Sequence, residues 1–555
     1  MKYFTAAAPK CFGAAAVLCY TGNRQKITTK SAAFRICLTA GFWGRGADVK
    51  KILKFLFSRL VIFSLLIALQ LFLLIFLLIK FSEGTIFIQL ALEIISLAAV
   101  IWLVNKKDNP SYKIAWVIVV LAFPLLGGVF YLMWGNKGVH GKTAKKISNY
   151  YQLMKTQSVH APEITEEAAQ LKESHRRMIN YVARTSGFSI FKNTQVEYFP
   201  LGEDKFVRLQ EELKKAKRFI FMEYFIVQEG KMWDPIFEIL KEKVKEGVDV
   251  RFMYDDLGCI QTVPSNYYMV LAAAGIKVSV FNPFRPQFNM QMNYRDHRKI
   301  CVIDGNVGFT GGINLADEYI NAYPKHGHWK DTAVMLTGDA VWSLTQMFLQ
   351  LWEFNCGEEK DRSLFKPTVS PPSDGYVQPF GDSPMDYDNV AENAYLQIIN
   401  TASRYVYITT PYLILDNEMV TALTIAAKSG IDVRIITPHI ADKWFVHIVT
   451  QSYYRQLLEE GVRIYEYTPG FIHAKMFVSD DDVAIVGTTN MDFRSFYLHF
   501  ECGVAFYNAS VIPKVKEDIE NTLTISQEIT LETIKSFPLH RRIAAAFLKM
   551  FAPLM

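Results

Sequence analysis

Little in this chain points to a covalent or metal framework. Its seven cysteines (Cys11, Cys19, Cys37, Cys259, Cys301, Cys356 and Cys502) are odd in number and scattered, and no C-x-x-C pair occurs. That spacing excludes the thiol sets of structural zinc modules and reads as reduced thiols without a disulfide frame. No carboxylate cluster demands a metal either. His326 and His328 stand two apart, half a metal site with no obvious third ligand. Charge of one sign is also scarce. A net +6 over 555 residues suits an anionic surface or a phosphate-bearing substrate and does not single out nucleic acid. Acids are nearly missing from residues 1–50, where Asp48 stands alone. That stretch is expected to be a basic, disordered tail.

What the chain has in abundance is apolar sequence. Half of it is hydrophobic and the mean hydropathy is +0.11, which is high for a purely soluble protein. The run "VIFSLLIALQLFLLIFLLI" (61–79) holds no charge over 19 residues, as a membrane-spanning helix requires. A second run (85–104) contains Glu93, and a third (114–134) contains Pro124 and Gly127-Gly128. Two to three transmembrane helices are therefore expected within 51–140, in a multi-pass membrane protein. Basic residues flank the first run on its N-terminal side, separate the second from the third, and follow the third. Three spans cannot put all of these on one side, so topology stays open.

The remaining length exceeds a single core. After a linker (141–189), amphipathic helical runs alternate with short β-branched and aromatic runs, an α/β pattern. The stretch 365–384, "FKPTVSPPSDGYVQPFGDSP", is rich in Pro, Gly and Ser and reads as a second linker. After it the same order of elements returns. "EGVDVRFMYDD" pairs with "SGIDVRIITPH", and "AGIKVSVF" with "EGVRIYEY". An internal repeat of two α/β domains follows, 190–364 and 385–555, packed face to face with one site at their junction.

Each half carries the same polar motif. The first reads His297-x-Lys299-x4-Asp304 and the second His473-x-Lys475-x4-Asp480. Asn314 and Asn490 each follow their histidine by 17 residues, closing "GGIN" and "GTTN", and a carboxylate comes later in each half, Asp331 and Glu501. A lone H-x-K says almost nothing. Two copies with the same offsets inside repeated halves point to a site. On a strand, residues two apart share a face, so each His and its Lys should project together. Asp304 and Asp480 lie an odd number of residues away, so they should face the other side and brace the sheet.

Two imidazoles, two ammoniums and two amides converging would suit one anionic tetrahedral group. Phosphate is the natural candidate. Lys and Asn would stabilise its oxygens, one His would attack phosphorus and the other protonate the leaving alkoxide. Asp331 and Glu501 would each fix one imidazole's tautomer. Four fixed donors would stand in for a metal, and no cofactor is expected.

These residues resemble the phospholipase D superfamily, whose signature is two H-x-K-x4-D motifs with downstream G-G-x-N or G-x-x-N. "NYRDHRKICVIDGNVGFTGGINLADEYI", "HWKDTAVMLTGDAV" and "GFIHAKMFVSDDDVAIVGTTNMDFRSFYLHFE" are similar to the bacterial cardiolipin synthases within it, over about residue 55 to the end. The resemblance implies phosphatidyl transfer from one phosphatidylglycerol to another, giving cardiolipin and glycerol, at the lipid bilayer of a bacterial plasma membrane and without nucleic acid. It also implies His297 as nucleophile and His473 as acid and base; spacing alone cannot choose between them. One departure is Cys301, where an aliphatic residue is usual. The alternatives are a phospholipase D that uses water, or transfer with another donor or acceptor alcohol.

Overall fold

The computed structural model describes residues 86–122, 171–284, 293–357, 361–385 and 388–554, with positions 19, 20, 72, 76, 127, 128, 131 and 135 besides. The first sheet is built from β1 (Cys19–Tyr20), β2 (Thr194–Phe199), β3 (Phe219–Tyr224), β4 (Asp249–Asp255), β5 (Lys277–Phe281), β7 (Ile300–Ile303), β8 (Val307–Gly311) and β10 (Ala333–Gly338). Between them lie two short strands that belong elsewhere, β6 (Arg295–Asp296) and β9 (His328–Lys330). The second sheet comprises β11 (Tyr376–Asp382), β12 (Tyr405–Thr409), β13 (Asp432–Pro438), β14 (Arg463–Tyr467), β16 (Met476–Ser479), β17 (Val483–Gly487), β18 (His499–Tyr507) and β19 (Ser526–Ile529), with β15 (Gly470–Ile472) standing apart.

The repeat is visible in the strand order. The first sheet runs β1-β5-β4-β3-β7-β8-β10-β2 and the second β11-β18-β17-β16-β12-β13-β14-β19. Apart from the edge strands β1 and β19, these are one topology read in opposite directions. In each, three parallel strands (β3, β4, β5; β12, β13, β14) are joined through crossover helices, as parallel pairing demands. A hairpin then adds antiparallel strands, β7 and β8 or β16 and β17.

Period-two alternation places the core. Phe219, Phe221, Ile300, Val302, Val334 and Leu336 point one way, into a core shared with the second sheet and with the helix Val341–Cys356. Ile220, Met222, Cys301, Ile303 and Met335 point the other way, against the outer helices. Cys301 is fully buried there, a small apolar fill within the strand. The halves therefore meet through sheet faces, and Thr310 Oγ1 lies 3.3 Å from Cys502 Sγ between them.

Both expected linkers carry structure. Within 365–384, Tyr376–Asp382 forms β11, paired antiparallel to β18. Pro379 is compatible with this because β11 is an edge strand. Within 141–189, residues 173–186 form a helix with His175, Met178, Ile179 and Val182 buried. The pair Cys19–Tyr20 adds an edge strand to the first sheet, from inside the stretch expected as a disordered tail. Cys259, Cys301 and Cys502 are free and buried. Cys356 is disulfide-bonded, which corrects the reading of all seven as thiols; spacing along a chain does not tell which sulfurs meet in space.

The 61–79 run lies outside the described residues, apart from Phe72 and Phe76. Among the described residues no helix is long and apolar enough to cross a membrane. Ile86–Val104 has 19 residues and Pro110–Ala122 has 13. The pair packs together and onto Tyr294 and Leu498 through Leu103, Tyr112, Trp116 and Val120. Ile94, Ile95, Leu97 and Ile101 face outward.

Candidate active site

Each H-x-K lies in a link between strands rather than on a strand. His297–Lys299 connect β6 to β7, and His473–Lys475 connect β15 to β16. The reason is that the chain changes partners there. β6 pairs in parallel with β18 of the other half, whereas β7 joins the first sheet. β15 pairs in parallel with β9 of the first half, whereas β16 joins the second sheet. The motif is the point at which each half hands its backbone to the other.

That exchange fixes which acid meets which imidazole. His499 lies opposite Arg295 and Phe500 opposite Asp296, so the next residues, Glu501 and His297, arrive together. The His297 N–H donates to the Phe500 carbonyl at 2.9 Å, and its Nδ1 lies 2.9 and 3.0 Å from the two Glu501 oxygens. In the mirror arrangement, Ile472 lies opposite Lys330. The His473 N–H donates to the Lys330 carbonyl at 2.7 Å, and Nδ1 lies 2.6 Å from Asp331 Oδ2. A carboxylate only accepts, so each Nδ1 carries the proton and each Nε2 presents a lone pair.

The glycines of "GGIN" and "GTTN" serve this geometry. A Cβ on Gly312 would lie 2.1 Å from Asp331 Oδ1, and one on Gly487 2.7 Å from the Cys502 carbonyl. Side chains there would displace the acid strand of either half. Thr488 donates its hydroxyl to Glu501 and receives the Cys502 N–H at 2.9 Å.

Lys299 and Lys475 are buried beside the imidazoles, and each ammonium donates to the carbonyl of its own histidine. Burial lowers both lysines, Lys299 to about 8 and Lys475 to about 7. Burial, and then the neighbouring ammoniums, hold His297 well below the usual imidazole range and His473 at about 4. The site thus places two neutral imidazoles beside two buried ammoniums, whose N–H groups favour an anion.

Comparison with known proteins bears on what that anion is. The family model described as "Cardiolipin synthase, PLD-like domain" matches residues 209–352 and 395–523, and a "Phospholipase_D-nuclease N-terminal" model matches 94–136. A curated cardiolipin synthase of Halalkalibacterium halodurans is 34% identical over 85% of this chain and 94% of its own length. The chain belongs to the cardiolipin synthase family. Cardiolipin synthase 2 of Bacillus anthracis is 36% identical over 83% of this chain and 89% of its own. An uncharacterized protein of Streptococcus mutans is 44% identical over 83% of this chain and all of its own. The crystal structure of a Haemophilus influenzae phosphatidylserine synthase superposes with a TM-score of 0.51 at 14% identity, over 68% of this chain and 98% of that one; it bears on the fold alone.

Not every motif residue of this family member reaches the cluster. Asp304 accepts the N–H groups of Lys217, Arg218 and Phe219 at 2.9, 2.7 and 3.0 Å. Asp480 accepts those of Ser403, Arg404 and Tyr405 at 2.7, 2.8 and 3.2 Å. Both therefore tie the start of β3 or β12 to the turn after the motif strand. Asn314 is engaged on both sides, accepting the Ile226 N–H at 3.0 Å and donating to the Tyr319 hydroxyl at 2.7 Å. Asn490 is buried, with its Oδ1 unpartnered. His328 joins β9 and bonds Tyr467 at 2.8 Å, so the His326/His328 pair is a packing feature of that strand.

Other residues at the site carry no motif. Phe225 stands edge-on to His297 at 5.1 Å, and Tyr319 edge-on to His473 at 5.6 Å. Trp329 lies 5.5 Å from the His473 ring and His499 lies 5.5 Å from the His297 ring. Each stands two residues before its half's acid, so these are equivalent positions filled differently. Among the described residues, His297, His499 and Glu501 form one set whose ligand atoms lie within 4.8 Å of one another. Two of those groups, His297 Nδ1 and the Glu501 carboxylate, are already bonded to each other.

Proposed function

We infer that this protein transfers a phosphatidyl group between two molecules of phosphatidylglycerol at a membrane, giving cardiolipin and glycerol through a phosphohistidine. The observation that carries this reading is the crossed pairing. Two imidazoles from different halves, each held at Nδ1 by the other half's carboxylate, present Nε2 around two buried ammoniums.

In the first half-reaction Nε2 of His297 attacks phosphorus of one phosphatidylglycerol. The bond from phosphorus to the glycerol oxygen breaks, and His473 Nε2–H delivers the proton that glycerol needs to leave. Glu501 balances the positive charge that builds on the His297 ring, while Lys299 and Lys475 balance the negative charge on the phosphoryl oxygens. In the second half-reaction His473 removes the proton from a hydroxyl of the second phosphatidylglycerol. That oxygen attacks phosphorus, the P–N bond breaks, and cardiolipin forms. His473 must hold a proton for the first step. A bound phosphodiester supplies it with cause, because its negative charge offsets the lysines that lower the imidazole. The assignment of nucleophile to His297 and acid to His473 follows the family signature; the pocket is otherwise near-symmetric.

The test uses purified full-length protein with phosphatidylglycerol as the sole lipid and EDTA present. Lipids are followed by mass spectrometry and glycerol enzymatically. One glycerol released per cardiolipin is the expected result. Phosphatidic acid with glycerol would mean that water is the acceptor, and loss of turnover restored by a divalent ion would overturn the reading of lysines in place of a metal.

A further inference from the structure

The helix Leu539–Lys549 differs from the helices that cover the sheets, because none of its residues is buried. One side rests on the helix Trp444–Glu459: Arg541 donates to Gln451, and Lys549 lies 4.0 Å over the Tyr453 ring. The other side turns four large apolar residues to the outside. Leu539, Ile543, Phe547 and Met550 are 69, 61, 59 and 44% exposed. Their spacing of four, four and three residues puts them in one stripe. A globular surface has no use for such a stripe unless something apolar covers it.

Charge says what covers it. From Thr533 to Met555 the chain has Lys535, Arg541, Arg542 and Lys549, with His540, and not one Asp or Glu. His540 and Arg542 are exposed beside the apolar stripe. A stripe of large apolar groups edged by cations, with no acid, fits the boundary between acyl chains and anionic headgroups. A second copy of the same face would bring like charges together.

Its place in the fold agrees. After the helix, the turn Ala552–Leu554 packs on Pro110–Ala122, whose partner helix turns Ile94, Ile95, Leu97 and Ile101 outward. The supporting helix begins with Trp444, 68% exposed, directly after Lys443. That lysine lies 5.2 Å over the Tyr412 ring, and its charge is felt at His297. The apolar stripe and the outward-facing N-terminal pair are thus joined through the turn Ala552–Leu554, and Tyr412 leads on to Phe471 at 6.4 Å and from there to the His473 ring at 5.9 Å.

We propose that the helix Leu539–Lys549 is an interfacial docking element that lies in the headgroup layer of an anionic bilayer. Leu539, Ile543, Phe547 and Met550 enter the acyl boundary, and Arg542 and His540 sit at the phosphates. This rests on the surface alone and does not depend on the reaction.

The test replaces Phe547 in the full-length protein with a benzophenone-bearing phenylalanine analogue. The protein is reconstituted into phosphatidylinositol–phosphatidylcholine vesicles or into phosphatidylcholine alone, irradiated, and its adducts are identified by mass spectrometry. The same analogue in place of Glu238, on an outer helix of the first half, is the control. Lipid adducts from position 547 are expected, several-fold more abundant in the anionic vesicles and missing from the control. Arg542→Glu should cut their yield roughly tenfold, as expected for losing one cation and gaining one anion near a charged surface. Three outcomes overturn the proposal: crosslinks to a second copy, crosslinks to residues 1–85 of the same chain, and no adducts at all. Equal yields in the two vesicle types overturn the anionic preference.

Discussion

Glu501 of the second half accepts from Nδ1 of His297 of the first half at 2.9 Å, across 204 residues of chain. The parallel β6–β18 pairing puts it there, and Thr488 braces its far oxygen. A group that orients a nucleophile and balances its developing charge acts mainly in the transition state. Glu501→Gln keeps an acceptor and removes the charge. The expected result is a fall in kcat of about 10²-fold or more with KM little moved. In a double-mutant cycle, His297→Ala with Glu501→Gln should cost no more than His297→Ala alone, because the two act as a unit. Full additivity would separate them.

The pH profile of kcat/KM reports the free enzyme, in which burial sets the pKa values. His297 lies well below its usual range and His473 near 4, so neither should produce an acid limb between pH 5 and 7. Lys475 near 7 and Lys299 near 8 lose their charge as pH rises, and with it the attraction for a phosphodiester. Because His473 must gain a proton before glycerol leaves, a fall of about tenfold per pH unit is expected from pH 5, with a steeper decline beginning between 7 and 8. In Lys475→Arg, whose cation persists, that decline should move at least one unit upward even where the overall rate is lower. A bell centred on pH 7 with an acid limb near 6.5 would contradict the buried, neutral pair.

The two H-x-K motifs, the asparagines at +17 and the later acids are a pattern of spacing, and spacing is what a repeated sequence preserves. The strand order repeats for the same reason. The pairing of His297 with Glu501 rather than with Asp331 is not written in either repeat; it arises from the through-space registers of β6 with β18 and β9 with β15. Short strands of two or three residues give no periodic signal, so the motif read as one strand when it is a link between sheets. β11 was hidden by Pro379 and its Pro- and Gly-rich neighbours, which an edge strand tolerates. His499 belongs to no motif of its own. Counting back two residues from each acid, to Trp329 and His499, would have exposed it.

Lys475 is a stability cost held in place for the site. Its pKa is lowered from 10.5 to about 7, so the folded state resists a proton that the unfolded state accepts. The penalty is complete below pH 7 and fades as pH rises toward 10.5, where both states are neutral. Lys475→Met removes the buried ammonium with similar bulk. It should abolish transfer and raise stability by roughly 1–3 kcal/mol at pH 7, with a smaller gain at pH 10. Thermal melts of parent and variant at the two pH values measure this. A loss of stability at pH 7 would show that the bond from Nζ to the His473 carbonyl outweighs desolvation.

Asp304 and Asp480 belong to the recurring motif, yet each carboxylate is occupied by three backbone N–H groups at the start of a central strand. Each also sits at a left-handed φ of 55°, a conformation Asp and Asn adopt more readily than other residues with a side chain. Their service to the reaction is then indirect: they hold β3 and β12 so that the motif link leaves the sheet in the right place. Asn retains one acceptor oxygen and tolerates the backbone, whereas Ala does neither. Asp480→Asn should lose about 1 kcal/mol of stability and Asp480→Ala about 2–3 kcal/mol. The kcat per folded molecule of Asp480→Asn should stay within a few-fold of the parent, against the loss expected for His473→Ala. Denaturant melts and single-turnover rates on the same preparations separate the two effects. A drop of 10²-fold in Asp480→Asn with unchanged stability would move this carboxylate from the scaffold into the chemistry.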